Sequence, residues 1–369
     1  MKRYILLTGL FIMNLQAVKP RVKSPTPNID DQNMFNAIYT FSEQMEKAIR
    51  ISKRIKLRHT YEHIDHIIFA GMGGSGMAGH MAKTLVQKQS PIAITVHNDY
   101  DLPNWVNENT LVICLSYSGN TEETLSCFDA AQEKNASIIG ITTGGTLQEK
   151  LRKNRLDFVQ IPNGMQPRAG LGYLTVPLLY ILKKIGIIET DIEKDLQETV
   201  KLLKMSREFF SVQDQSNPTY AYAQLFKKCT PIIYGEANST GCIAQRWKAQ
   251  FAENSKMLAS THVLPELDHN EIVAWQENPD LLKRSVIIWL NDKNMHPRNR
   301  ARQKITKDVI GNMPYMQLEL EGIGNSWCER LFYLVHLGDW ISYWCALAHN
   351  VNPTTIVNID TLKNKMKDA

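Results

Sequence analysis

The first indication of the fold is the stretch Leu111-Val-Ile-Cys-Leu-Ser-Tyr-Ser-Gly-Asn-Thr-Glu-Glu-Thr124. Its first five residues are a short apolar run, which predicts a buried strand. Hydroxyl residues around a glycine follow, and the sequence then favours a helix from Thr121 onward, with Asn120 as its predicted N-cap. A strand, a tight turn and a helix N-terminus present backbone N–H groups to an anion. We therefore expect Ser116, Ser118 and Thr121 to bind one phosphate group.

The same alternation of strands and helices extends on both sides of this stretch. Apolar runs predict strands, and helical segments separate them; the predicted strands are 66–70, 92–98, 111–115, 137–142 and 157–161. Strands that alternate with helices are typical of a parallel sheet covered on both faces. A polar helical stretch at 192–213 then connects to a second half.

The second half repeats the first. After a strand at Pro231-Ile-Ile-Tyr234, Gly235 is followed by Ser239 with the spacing that separates Gly71 from Ser75. A second apolar run, Val286-Ile-Ile-Trp-Leu290, corresponds to the first run at residues 111–115. These matches indicate an internal duplication of one α/β unit.

The two copies differ at the loop that follows the central strand. Where the first has hydroxyl groups, the second has Asn291-Asp-Lys-Asn-Met-His-Pro297. We therefore expect one phosphate site per chain, in the first half.

Composition and charge exclude several classes of protein. The chain has 369 residues, 43% of them hydrophobic and 21% charged, as expected of globular domains. Its net charge of +5 is concentrated in the first 24 residues, which hold five basic residues and no acid, namely Lys2, Arg3, Lys19, Arg21 and Lys23. The rest of the chain is near neutral, so nucleic acid is not an expected partner. Six scattered cysteines without a CxxC pair favour the reducing cytoplasm.

The N-terminus allows three interpretations. Residues 1–13 resemble a short signal peptide, and the residues up to 33 are rich in proline and basic side chains. An over-extended reading frame with its true start at Met34, an export signal, or a disordered tail would each account for this. The apolar run is too short to span a membrane, and we expect no membrane partner.

The glycine loop Gly71-Met-Gly-Gly-Ser-Gly76 also has competing interpretations. Its G-x-G-x-x-G spacing after a strand is that of a dinucleotide-binding loop, with Asp99 at a suitable distance. The glycines could instead serve only close packing of strand and helix. Residues 116–121, which we call the hydroxyl loop, would lie beside the same ligand. We therefore favour a phosphate site that includes Gly74 and Ser75.

Both loops together resemble the sugar isomerase (SIS) domain, and later motifs resemble the bifunctional phosphoglucose/phosphomannose isomerases. The resemblance extends in order from about Met34 to the C-terminus. It rests on Asn163-Gly-Met-Gln-Pro-Arg-Ala-Gly-Leu-Gly-Tyr173, Phe251-Ala-Glu-Asn-Ser-Lys256, Pro265-Glu-Leu-Asp-His-Asn-Glu271, Leu337-Gly-Asp-Trp-Ile-Ser342, Asn352-Pro353 and Ile359-Asp-Thr-Leu-Lys363.

The resemblance implies an α/β fold with two similar SIS-type subdomains. Each would be a parallel β-sheet flanked by helices, a flavodoxin-like three-layer sandwich. We expect residues 1–33 to be a disordered or mis-started tail. Residues 34–210 would form the phosphosugar-binding domain, and residues 211–369 a second domain that carries most of the catalytic residues.

The implied reaction is the interconversion of glucose 6-phosphate and fructose 6-phosphate, and also of mannose 6-phosphate, by a metal-independent cis-enediol mechanism. Aldose–ketose isomerisation needs a proton shuttle, groups that open the sugar ring, and a cation for the enediolate. By resemblance, Glu253 shuttles the proton, Arg168 stabilises the charge, and His269 and Lys363 open the ring. The specificity threonine would be Thr354 or Thr355.

The family's ring-opening histidine reaches the active site from the neighbouring subunit, which implies a homodimer with shared active sites. We expect no cofactor and no metal. Two alternatives stay open: a non-catalytic sugar-phosphate-binding SIS protein, which would not need Glu253, His269 and Lys363, and an NAD-dependent oxidoreductase. A glutamine-dependent aminosugar synthase is disfavoured, because neither an amidotransferase domain nor an N-terminal catalytic cysteine is visible.

Overall fold

The computed structural model describes residues 25–367, so residues 1–24 of the predicted 1–33 tail lie outside the described part. Residues 25–33 form turns that lead into the first helix. The buried carboxylate of Asp30 accepts hydrogen bonds from the backbone N–H groups of Met34 (2.6 Å) and Phe35 (2.9 Å). An acidic side chain at this position satisfies N–H groups that have no partner inside the helix.

The predicted alternation of helices and strands is confirmed in the first half. Residues 34–53 form two helices, α1 and α2, that are separated at Thr40. The elements in chain order are α1 (Met34–Tyr39), α2 (Phe41–Lys53), β1 (His66–Ala70), α3 (Gly73–Val86), β2 (Ala93–His97), β3 (Thr110–Ser116), α4 (Glu122–Glu133), β4 (Ser137–Thr142), α5 (Gly145–Lys153), β5 (Asp157–Gln160), α6 (Leu171–Lys184) and α7 (Ile192–Phe210).

The second half repeats the alternation with fewer strands. Its elements are α8 (Pro218–Phe226), β6 (Thr230–Glu236), α9 (Gly241–Ser255), β7 (Ser260–Leu264), α10 (Pro279–Leu282), β8 (Ser285–Asn291), α11 (Pro297–Ile310), β9 (Met316–Glu321), α12 (Trp327–Ala348) and α13 (Val357–Met366). Short 3-10 helices cover Pro167–Ala169, Glu266–His269 and Glu271–Trp275.

The chain divides into two compact units. Within residues 25–367, the first unit consists of Thr40–Lys201 with Ser326–Glu329, and the second unit of residues 25–39, 202–325 and 330–367. The first unit holds a parallel sheet in the order β2-β1-β3-β4-β5, and the second unit holds a parallel sheet in the order β7-β6-β8-β9. The first four strands of both sheets therefore follow one order, as an internal duplication predicts.

The central strands of both sheets are buried along their whole length. Every residue of β3 and of β8 is buried, which accounts for their near-continuous apolar sequences. In a doubly wound parallel sheet, ligands bind beyond the carboxyl ends of the strands. The loop that follows β3 occupies that position in the first unit.

Candidate active site

The loop after β3 forms a turn held by its own hydroxyl groups. The Ser116 Oγ accepts a hydrogen bond from the backbone N–H of Gly119 (3.0 Å) and lies 2.9 Å from Thr121 Oγ1. Gly119 has a φ of +74°, and a Cβ there would lie 1.8 Å from the carbonyl oxygen of Gly144. Because a hydroxyl that accepts a bond keeps its own proton to donate, this turn can present several donors to one anion.

The prediction that Asn120 caps the following helix is wrong. Helix α4 has Thr121 as its N-cap, without a capping side-chain bond. The Asn120 Oδ1 instead accepts from the backbone N–H of Thr146 (3.0 Å), at the start of α5, and the Asn120 N–H donates to Ser118 Oγ (3.2 Å). Side-chain amides can cap a helix that is distant in sequence, which the local pattern does not reveal.

The glycine loop forms the second wall of the site. Helix α3 starts at Gly73, and the buried Ser75 accepts through its Oγ a hydrogen bond from the backbone N–H of Tyr117 (3.0 Å). This bond joins the glycine loop to the hydroxyl loop. The first turn of α3 therefore lies beside the turn after β3, as the phosphate-site prediction requires.

Arg168 belongs to the same assembly. A Cβ on Gly74 would lie 2.8 Å from the carbonyl oxygen of Pro167 and 2.9 Å from the Arg168 nitrogen. The backbone of the glycine loop therefore contacts the backbone of residues 165–172, which we call the arginine segment. Only 3% of Arg168 is exposed. A buried guanidinium is stable only beside groups that satisfy its charge.

Two residues that the sequence did not single out position the arginine segment. The Tyr117 hydroxyl accepts from the backbone N–H of Met165 (3.2 Å), and the Gln44 amide bridges the carbonyl of Ala169 (2.7 Å) and the N–H of Gly172 (2.7 Å). Gln44 lies in α2, far away in sequence, and no local signal marks it. Tyr117 could have been found, because it is the one large side chain inside the hydroxyl loop.

Glu253 lies in the last turn of α9, in the second unit. The two residues that follow it in this turn are fixed by α12. Asn254 Nδ2 donates to Ser342 Oγ (3.0 Å), and Ser255 Oγ donates to the carbonyl of Ser342 (2.6 Å). Lys256 ends the helix in the left-handed conformation, and its ammonium donates to the carbonyls of Glu253 (2.9 Å) and Asn352. These contacts hold the Glu253 backbone in place.

The motif Leu337–Ser342 lies on α12 and packs against α9. A Cβ on Gly338 would lie 2.1 Å from Trp247 Nε1, so glycine is needed for the close approach of α9 and α12. Asp339 accepts from Arg246 Nη2 (2.7 Å) and from Gln250 Nε2 (2.7 Å), and all three side chains are buried. The motif therefore supports the helix that carries Glu253.

His269 ends a 3-10 helix and is exposed, while the residues around it are anchored. Asp268 pairs with Arg302 (3.1 Å) and accepts from Thr306 Oγ1 (2.7 Å). Glu271 accepts from the Tyr234 hydroxyl (3.0 Å). The imidazole thus projects from a fixed segment.

Lys363 lies on α13, which has no buried residue. The two specificity candidates differ in burial, because Thr354 is buried and Thr355 is partly exposed.

The structure therefore brings Gly74, Ser75, Ser116, Ser118, Thr121 and Arg168 together in the first unit. It places Glu253, His269 and Lys363 at separate positions of the second unit.

No group of three histidine, cysteine, aspartate or glutamate side chains suited to a metal ion occurs among residues 25–367. No helix in this described range is long and apolar enough to cross a membrane.

Sequence comparisons match both halves of the chain. The family described as "Bacterial phospho-glucose isomerase C-terminal SIS domain" matches residues 215–366, and the SIS domain matches residues 61–151. A bifunctional phosphoglucose/phosphomannose isomerase of Caldicellulosiruptor bescii is 41% identical over 91% of this chain and 99% of the relative. One from Aquifex aeolicus is 35% identical over 82% of this chain and 90% of the relative.

Solved structures show the same fold at low identity. A hypothetical protein of Thermus thermophilus aligns with a TM-score of 0.71 at 12% identity, over 91% of this chain and 90% of that one. The C-terminal domain of glucosamine-fructose-6-phosphate aminotransferase from Francisella tularensis aligns with a TM-score of 0.67 at 17% identity, over 87% of this chain and 98% of that one.

Proposed function

The chain belongs to the bifunctional phosphoglucose/phosphomannose isomerases, and we propose that it interconverts glucose 6-phosphate, mannose 6-phosphate and fructose 6-phosphate. The observation that carries this proposal is the 41% identity over 91% of the chain. The hydroxyl-lined turn after β3 supports it independently, because its donors suit a phosphate monoester.

In this proposal the first unit holds the substrate. Ser75, Ser116, Ser118 and Thr121 bind the phosphate through their hydroxyl groups and the adjacent backbone N–H groups. Arg168 stabilises the negative charge of a cis-enediolate, a role that its burial supports, since a cation acts more strongly where water is excluded. A guanidinium supplies this positive charge without a metal ion or cofactor.

Glu253 is the proposed base that moves the proton between C1 and C2. Two observations support this role. Glu253 occupies the glutamate position of the family motif, and contacts with α12 and Lys256 hold its backbone. His269 and Lys363 are the proposed ring-opening groups, and their exposure makes them accessible to a sugar. The proposed domains are residues 34–210 and 211–369, the second supported by the family match at 215–366. The compact units differ from these bounds, because residues 34–39 and 202–210 pack with the second half.

The Glu253→Gln variant tests the mechanism. Glutamine keeps the shape of the side chain but cannot accept the proton, so exchange of the C2 proton of glucose 6-phosphate with deuterated solvent should fall at least about a hundredfold. NMR measures the exchange, and calorimetry should find substrate affinity largely unchanged. Glu277→Gln, at an exposed position, is the control. Retained exchange in Glu253→Gln would remove Glu253 from the mechanism.

We also propose a homodimer with shared active sites, in which His269 serves the partner's site. Mixing inactive Glu253→Gln with inactive His269→Ala tests this. After subunit exchange at equal amounts, about half of the dimers are hybrids with one intact site, so about a quarter of the wild-type activity should return. If no activity returns although subunit exchange is verified, both residues serve the same subunit.

A coupled assay on all three hexose 6-phosphates separates an isomerase from a non-catalytic sugar-phosphate-binding protein. The binding protein would show affinity without turnover.

We propose a cytoplasmic enzyme, supported by six cysteines that all remain thiols.

A further inference from the structure

Helix α9 ends in a backbone conformation that is unusual for a lysine. Lys256 has a φ of +56°, in the left-handed region that strains an L-residue and that glycine usually occupies at a helix end. The backbone N–H groups of Lys256 and Met257 donate to the carbonyl of Phe251, and a glycine would allow the same two bonds without strain. A lysine is therefore favourable at this position only if its side chain offsets the strain.

The Lys256 ammonium connects two segments of the second unit. It donates to the carbonyls of Glu253 (2.9 Å) and Asn254 (3.3 Å) in the last turn of α9. Carbonyls at the end of a helix have no partner inside it and carry the negative end of the helix dipole, so a cation is favourable there. The same ammonium donates to the carbonyl of Asn352, which lies beyond the end of α12. The turn that carries the proposed base is thus tied to residues 352–355, which we call the threonine turn.

The Asn352 side chain fixes the threonine turn from within. Its Oδ1 accepts hydrogen bonds from the backbone N–H groups of Thr354 (2.8 Å) and Thr355 (3.4 Å), as asparagine commonly does in turns. Its Nδ2 donates to Asp31 Oδ1 (2.7 Å), so both ends of the amide are bonded. Asn352 therefore determines where the two threonines lie relative to Lys256.

We propose that Lys256 and Asn352 are positioning residues, which set the distance between the base Glu253 and the threonine turn. The inference rests on the proposed function and extends it to the choice between two substrates. Glucose 6-phosphate and mannose 6-phosphate differ only in the configuration at C2, one of the two carbons between which the base moves the proton. A base that serves both epimers tolerates little displacement, because a misplacement of about 1 Å can lower a rate about a hundredfold.

Lys256→Gly separates positioning from stability. Glycine keeps the left-handed backbone without strain, so the variant loses only the ammonium bridge. Its kcat for glucose 6-phosphate should fall at least about tenfold while KM changes less than about threefold, because binding of the phosphate is the proposed role of the first unit. Lys256→Met also loses the ammonium but keeps the strain. Its kcat should be equally low, whereas its urea midpoint should lie below that of Lys256→Gly.

The ratio of the two sugars gives a second readout. Asn352→Ala removes the acceptor that holds the threonine turn, and both this variant and Lys256→Gly should change the ratio of kcat/KM for mannose 6-phosphate to that for glucose 6-phosphate at least about threefold. Lys248→Met, at an exposed position of α9, is the control. It should leave kcat and the ratio within about twofold of the wild type, as surface substitutions usually do.

Three results would overturn the proposal. The first is a Lys256→Gly enzyme with the kcat of the wild type. The second is an unchanged sugar ratio in both Lys256→Gly and Asn352→Ala. The third is a kcat that follows the urea midpoint in the two Lys256 variants, which would make the role of the lysine purely structural. Absence of turnover in the wild type would instead refute the proposed function, and this inference with it.

Discussion

At the scale of single residues, the absence of a side chain at Gly74 lets two loops meet. The backbone of Pro167 and Arg168 lies within 3 Å of where a Cβ would be. Because the neighbouring atoms are backbone, they cannot rotate away as a flexible side chain could. Gly74 therefore sets the distance between the first turn of α3 and the arginine segment.

The Gly74→Ala variant should bind substrate poorly. The methyl group would push the arginine segment away, with a loss of about 1–3 kcal/mol in the free energy of unfolding. We expect the KM for glucose 6-phosphate to rise at least about tenfold, since displacement of Arg168 and the loop weakens binding by about 1.4 kcal/mol or more. Steady-state kinetics and urea unfolding measure the two effects.

Gly73→Ala is the matched control in the same loop. Its Cβ would have no atom within 4 Å, although its φ of +49° carries a strain of about 1–2 kcal/mol in an L-residue. It should therefore lower stability while changing KM less than threefold. Equal KM values for the two variants would show that contact with Arg168 does not matter.

At the scale of secondary-structure elements, the pair α9 and α12 determines where Glu253 lies. The contact combines a glycine against Trp247 with a buried ion pair between Arg246 and Asp339. Removal of one partner of a buried pair leaves an uncompensated charge, which is more harmful than removal of both.

Asp339→Asn should therefore lower the free energy of unfolding by about 3–5 kcal/mol. The variant leaves the Arg246 guanidinium buried without a countercharge. Urea unfolding measures the loss, and Asp280→Asn at an exposed position is the control. The double variant Arg246→Met with Asp339→Leu should recover at least half of the loss; no recovery would mean that hydrogen-bond geometry, rather than charge, dominates.

The sequence predicted those elements that are marked by a local pattern of residues. Strand β3 is a continuous apolar run that ends in a turn, and both features are local. Helix α11 was not predicted, because it buries mainly the polar Gln303 and Thr306 and thus has no apolar stripe. Helix α12 was not predicted either, because it is buried on nearly all sides and therefore has no alternation of apolar and polar faces. Likewise, the sequence indicated the hydroxyl loop but not the distant Gln44.

At the scale of the whole molecule, burial protects most of the thiols. Cys114, Cys127, Cys328 and Cys345 are buried, and Cys229 and Cys242 are partly exposed. Burial raises the pKa of Cys127 and of Cys328 to about 12, and it also raises the pKa of Cys114 and Cys345. Only the thiolate is nucleophilic, so these four groups stay unreactive at neutral pH.

Native protein at pH 8 should accordingly release thionitrobenzoate from a disulfide reagent through at most two thiols per chain, Cys229 and Cys242. Addition of guanidinium chloride should expose all six. Single Cys229→Ser and Cys242→Ser variants should each remove one fast equivalent. Rapid reaction of more than two thiols in the native protein would contradict the burial of the other four.

In the second copy of the duplicated unit, a buried ion pair limits how the loop after β8 can change. Asp292, which begins the loop that replaced the hydroxyl turn, forms a buried ion pair with Arg330 at 2.5 Å. The second copy thus has a buried anion and its cation where the first copy has a turn of hydroxyl and backbone N–H groups. Loss of either partner alone would strand the other charge. A phosphate loop at this position would therefore require both residues of the pair to change.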